Sequence, residues 1–179
     1  MADVARLRRA VVPVIALIVL AVALGARAWS GGGGSSDTQP HVAADVAFAT
    51  GMVRHHEATQ QMAATAGEHR LSAAVGRLAG RLRADQQAQI DQLRGWLAGW
   101  GEPMPLLLTG EVAAGLPARD GPGFERAWLR AMIAHDERAV EMARTELDHG
   151  RYPPTLELAG SVVDSESAEI DRLQRLLER

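Results

Sequence analysis

From about residue 45 onward, apolar residues recur at spacings of three, four and seven, the rhythm of helices with one buried face. Leu71, Val75, Leu78, Leu82, Ile90, Leu93 and Leu97 follow it in one stretch. Val162, Val163, Ile170, Leu173, Leu176 and Leu177 follow it in another. The pattern predicts helices over about 45–67, 72–98 and 124–149, and a last one that starts at Pro153. Asp45 and Ser72 are suited to capping helix starts. Gly99 and Gly101 supply a stop after Trp96-Leu97, and Pro153-Pro154 sit where a helix tolerates proline. Proline and glycine are frequent between residues 100 and 124, which reads as a connecting loop.

The helical rhythm carries an unusual cargo at two places. Met52, His55, His56 and Met62 share one uninterrupted run. At about 100° per residue, Met52, His55 and Met62 fall within roughly a quarter turn, with His56 just beyond the other edge of Met52. Met132, His135 and Met142 repeat the arrangement 80 residues later. Aligning 45–99 with 125–179 at that offset gives sixteen identities in 55 pairs without a gap, among them His69/His149, Leu78/Leu158, Gly80/Gly160 and Asp91/Asp171. A gapless match of this length marks an internal duplication. Two repeated antiparallel hairpins, joined by the longer loop, predict an all-α four-helix bundle with pseudo-two-fold symmetry.

Composition narrows the chemistry. Hydrophobic residues make up 47% of the chain, enough to build a core, and abundant Ala and Leu favour helix over strand. The net charge of −3 gives no polybasic surface for nucleic acid. Cysteine is absent, so disulfides, thiolate metal sites and Cys nucleophiles are excluded, and a soft-metal site must use methionine sulfur. No phosphate-cradling glycine loop or serine nucleophile elbow is present.

Residues 1–28 read as an export signal or a membrane anchor. Arg6, Arg8 and Arg9 precede an apolar run from Ala10 to Leu24 that only Pro13 interrupts. The run is short for a span of about 20 residues. Ala26-Arg27-Ala28 fits a small-x-small cleavage site, whereas Arg27 within it and Trp29 after it favour retention. Either outcome places the remainder outside the cytoplasm, attached to the membrane if the segment is uncleaved. Residues 29–44, with the run Ser30 to Ser36, form a flexible tether to a domain at 45–179. Without residues 1–28 the chain keeps 15 arginines against 21 acids, a net of −6, a surface suited to cations.

Phe48-x3-Met52-x2-His55-His56-x5-Met62 resembles the signature of the CopM-like domain-of-unknown-function family. Gln86-x2-Gln89-Ile90-x5-Trp96-Leu97 with Trp100-Gly101 does so too. Trp128, Met132, Ile133, His135, Met142, Ala159, Glu169 and Ile170 carry the likeness through the second copy. The resemblance implies a ferritin-like bundle, exported or tethered, whose members include copper binders. Its implied metal ligands are Met52, His55, His56, Met62, Met132, His135 and Met142. Two departures stand out: the second His-His pair is His135-Asp136, and Leu93 and Leu173 occupy positions where the family often has methionine.

Thioether and imidazole are ligands suited to Cu(I), while imidazole also serves Cu(II) and zinc. The expected function is therefore exported metal binding, copper above all, with no catalytic residue and no turnover required. Methionine at helical spacing is also ordinary core filler, which keeps open a metal-free surface module. Glu146-x2-His149 fits one element of a di-iron carboxylate oxidoreductase, but its counterpart at 66–69 begins with Ala66. His69 and His149 are expected to cap helix ends, His41 to lie idle in the tether, and Glu57 and Glu137 to act as outer-shell acceptors or surface charges.

Overall fold

A computed structural model describes residues 40–106 and 120–179. Five helical segments occur there: α1 (Ala43–Gly67), α2 (Ala73–Asp85), α3 (Gln87–Trp100), α4 (Pro122–His149) and α5 (Pro153–Leu177). Segments α2 and α3 are the two halves of one predicted helix, broken at Gln86, so the architecture is the expected four-helix bundle. Hairpin α1–α2–α3 packs on hairpin α4–α5 through α1 and α4. The predicted signal or anchor and most of the tether lie outside the described residues. Among the described residues, no helix is long and apolar enough to cross a membrane.

Local sequence explains most helix ends. Asp45 does not cap α1 but sits in its first turn and reaches back to accept the Val42 N–H at 2.6 Å. Its other oxygen accepts the N–H groups of Arg151 and Tyr152 and the Thr155 hydroxyl, each at 2.9 Å. One buried carboxylate thereby ties the start of α1 to the α4–α5 turn. Burial pushes the Asp45 pKa up, but the N–H donors from Tyr152, Val42 and Arg151 outweigh it and hold it at about 2. Glu125, 80 residues later, does the equivalent job: it accepts the Ser72 N–H at 2.6 Å and the Ser72 hydroxyl at 2.9 Å. Ser72 caps α2, and α3 ends on Gly101, whose φ of 76° is the left-handed conformation that glycine adopts freely.

The bundle has two apolar cores rather than one. The first joins Phe48, Ala49, Met52 and Val53 of α1 to Leu93 and Leu97 of α3, Ala139 and Ala143 of α4, and Leu158, Ala159 and Val162 of α5. The second contains Trp128, Leu129, Met132, Leu173, Ala63, Leu78 and Ala79. Those seven are the partners, at offset 80, of Phe48, Ala49, Met52, Leu93, Ala143, Leu158 and Ala159. The duplication read from the chain is therefore also a spatial dyad. On both α1 and α4, the residues between the two cores are polar and buried: His55, His56 and Thr59 on one, His135 and Asp136 on the other.

Candidate metal centre

The dyad brings His55 and His135 together. Their rings stack with centroids 4.0 Å apart and planes 11° from parallel, and His56 lies edge-on to His55 at 5.4 Å. All three are enclosed, with exposures of 5% for His55, 1% for His56 and 6% for His135. His135 is oriented by α1: its Nε2 lies 2.9 Å from the Thr59 hydroxyl and 3.2 Å from the His55 carbonyl. The Thr59 hydroxyl itself donates to that carbonyl at 3.1 Å. This pattern assigns the proton of His135 to Nε2 and leaves Nδ1 with the lone pair. Metal-ligating histidines are commonly oriented this way, through the ring nitrogen that does not bind.

Several atoms here are buried and unpaired: Nε2 of His55, both ring nitrogens of His56 and Oδ2 of Asp136. A buried polar atom without a partner costs about 1–3 kcal/mol, so a fold that keeps four in one layer holds an arrangement that packing alone disfavours. Nitrogen atoms of His55 and His135 and a carboxylate oxygen of Asp136 lie within 4.8 Å of one another. These donors suit a metal ion.

Electrostatics favour ligation by the imidazoles and oppose it at Asp136, whose carboxyl would have to give up a proton. Burial, reinforced by the neighbouring His135 and His56, holds the His55 imidazole well below its usual range. Burial and His135 bring His56 to about 4, although Gln89 and Gln86 lie close enough to oppose the shift. Burial also brings His135 to about 4 against the pull of the His55 carbonyl. At neutral pH all three rings are uncharged, each with one nitrogen lone pair free, the form that binds metals. Asp136 is pushed the other way, to about 9, by burial and then by the charges of Glu166 and Glu169.

An open groove of about 850 Å³ runs between α1 and α4 beside this layer. His55, His135, Met62 and Met142 line it, together with Arg54 and Arg138, although Met62 is only 3% exposed and also belongs to the second core. The Met142 sulfur lies against Gly51, 2.8 Å from where a β-carbon would stand, so glycine there leaves room for the thioether. Met52 and Met132 point elsewhere: each is fully buried, one in each apolar core. Of the seven expected ligands, the structure thus gathers the three histidines in the polar layer, lines the groove with Met62 and Met142, and separates Met52 and Met132.

Other titratable groups take different places. Glu57 is buried and pairs with Arg94 of α3, whereas Glu137 is exposed. Glu146 is buried against Thr155 at 2.5 Å while His149 is exposed and bonds the Thr145 carbonyl at 3.0 Å, a helix-end contact. His69 meets Asp120 at 2.8 Å and stacks on Phe124. His41 stacks on Trp100 at 4.5 Å. Sequence reasoning missed Thr59 and read Asp136 only as a lost ligand. The repeat held the signal for the latter: His56, Gln86 and Gln89 correspond to Asp136, Glu166 and Glu169, three changes in one direction.

Comparison with known proteins agrees with this anatomy. The model of DUF305, a domain of unknown function, matches residues 45–105 and again residues 102–177. No curated protein matches the chain. A DUF305 fragment from Deinococcus radiodurans shares 29% identity at a TM-score of 0.68, covering 78% of this chain and 99% of that one. CopM in its Cu(I)-bound form shares 27% identity at a TM-score of 0.65, covering 75% and 95%. CopM has also been solved with Cu(II) and with silver bound. A DUF305 protein from Streptomyces coelicolor, designated as secreted, shares 26% identity at a TM-score of 0.65, covering 75% and 91%. With its family model matched twice across the helical domain, the chain belongs to the DUF305 family.

Proposed function

We propose that this protein binds metal ions outside the cytoplasm and that copper, as Cu(I), is its principal cargo. The observation that carries the reading is the meeting of His55 with His135 across the dyad, buried, uncharged and beside unpaired nitrogens. His55, His56 and His135 supply imidazole, and Met62 and Met142 offer thioethers along the groove that leads to them. Met52 and Met132 belong to the cores and support the layer from either side. Likeness to CopM, a protein solved with copper and silver bound, favours a soft ion. Likeness to the Streptomyces protein and the basic-then-apolar N-terminus favour export, with or without a retained anchor. Sequestration or hand-over of ions accounts for the site without any catalytic group.

Cu(I) titration of the full chain against a colorimetric chelator tests the proposal. Wild type is expected to take up copper, and His55→Ala with His135→Ala to lose most of it while helicity stays. Unchanged stoichiometry in the folded double variant removes the site from consideration.

A further inference from the structure

The two flanks of the polar layer are not chemically equal. On the first flank His56 is accompanied by Gln86 and Gln89; on the second, Asp136 stands with Glu166 and Glu169. Neutral donors on one side face carboxylates on the other. Asp136 is 1% exposed, and its Oδ2 has no partner. Glu169 keeps an unpaired Oε1 while its Oε2 accepts from Arg172 at 3.2 Å. The unpaired Nε2 of His55, itself 5% exposed, adds a donor from the opposite helix. Acids gathered at one flank are neutralised either by protons or by a shared cation, and of these only Glu169 has an arginine partner among the described residues, Arg172. Two imidazoles and a carboxylate within 4.8 Å are the ligand set of borderline divalent ions, not of a thioether site.

We infer that the second flank is a divalent-cation site in which His55, His135 and Asp136 are ligands and Glu166 and Glu169 form the acidic surround. The site shares its histidines with the copper reading but depends only on metal binding at this layer, not on copper. Sulfur plays no part in it. The exposed Arg138, 3.5 Å from Nδ1 of His135, opposes the ion and must swing into solvent when one enters.

Zn2+ is the probe. The full chain, and variants confirmed as folded by circular dichroism, are titrated with Zn2+ and separately with Cu(I) under competing chelators. Wild type is expected to bind one Zn2+ ion. Asp136→Asn weakens Zn2+ at least tenfold while Cu(I) affinity changes less than threefold, and Arg138→Ala tightens Zn2+. Zn2+ affinity within twofold of wild type in Asp136→Asn overturns the inference. Copper uptake without any Zn2+ binding also overturns it and leaves the copper reading standing. Zn2+ binding that requires Asp136 in a protein that ignores Cu(I) has the reverse meaning.

Discussion

Replacing His56 with leucine should make the metal-free protein more stable. His56 is 1% exposed, and neither ring nitrogen has a hydrogen-bond partner. An orphaned buried polar atom costs about 1–3 kcal/mol, and a leucine of comparable volume removes both. Allowing for repacking, the gain at pH 8 is about 2 kcal/mol, roughly 5 °C in midpoint for a domain of this size. It should widen in acid. The folded-state pKa of His56 lies at about 4, below its ordinary 6.5. Between those values the unfolded chain takes up a proton that the native one refuses, so wild type loses stability as pH falls through that window. The loss amounts to about 3 kcal/mol by pH 4, and the leucine variant is spared it. Urea denaturation in the presence of a chelator, at pH 8 and pH 4.5, measures both numbers. Destabilisation by more than about 1 kcal/mol at pH 8 would refute the reasoning, because it would mean that Gln86 or Gln89 satisfies the ring.

Asp45→Ala removes the acceptor that joins α1 to the α4–α5 turn and should cost about 3 kcal/mol in urea denaturation. Because the Asp45 pKa is lowered from 3.8 to about 2, its support is complete above 3.8 and lost as pH falls towards 2, a contribution of about 2 kcal/mol absent from the acid-unfolding curve of Asp45→Asn. Glu146 moves oppositely: burial raises it to about 7, so stability should decline between pH 4.5 and 7 in wild type and less in Glu146→Gln, as thermal melts across that range will register. Met62→Leu with Met142→Leu should change stability by less than about 1.5 kcal/mol yet weaken Cu(I) binding, and equal Cu(I) affinity in chelator competition would exclude the thioethers as ligands.

The helices and the dyad were legible because they rest on periodic features. Leu78 and Leu158, or Met52 and Met132, mark the same depth in two cores, and a constant offset needs no three-dimensional knowledge. The break at Gln86 was not legible, since no proline or glycine stands between residues 81 and 94 and the counterpart Glu166 lies within an uninterrupted helix. Methionine roles were only partly legible. A helical wheel places Met52 beside His55, but only the packing of α3, α4 and α5 decides that Met52 lies wholly in one core while Met62 sits in the other with an edge on the groove. Glu57 and Glu137 look alike in the repeat, yet Arg94 reaches one of them across the bundle and the other stays in water. Asp136 was not placeable for a related reason: comparison with a His-His pattern counts it as a loss, and only the fold sets its carboxyl within 4.8 Å of nitrogens from His55 and His135.

Joining the two hairpins in one polypeptide has a consequence at the axis itself. Were the halves separate identical subunits, every substitution would appear twice, and an acid on one side of His55/His135 would be matched by its rotated copy on the other. Covalent fusion lifts that restriction. One half can hold amides while the other gathers carboxyl groups, so a single layer has two chemically different ends.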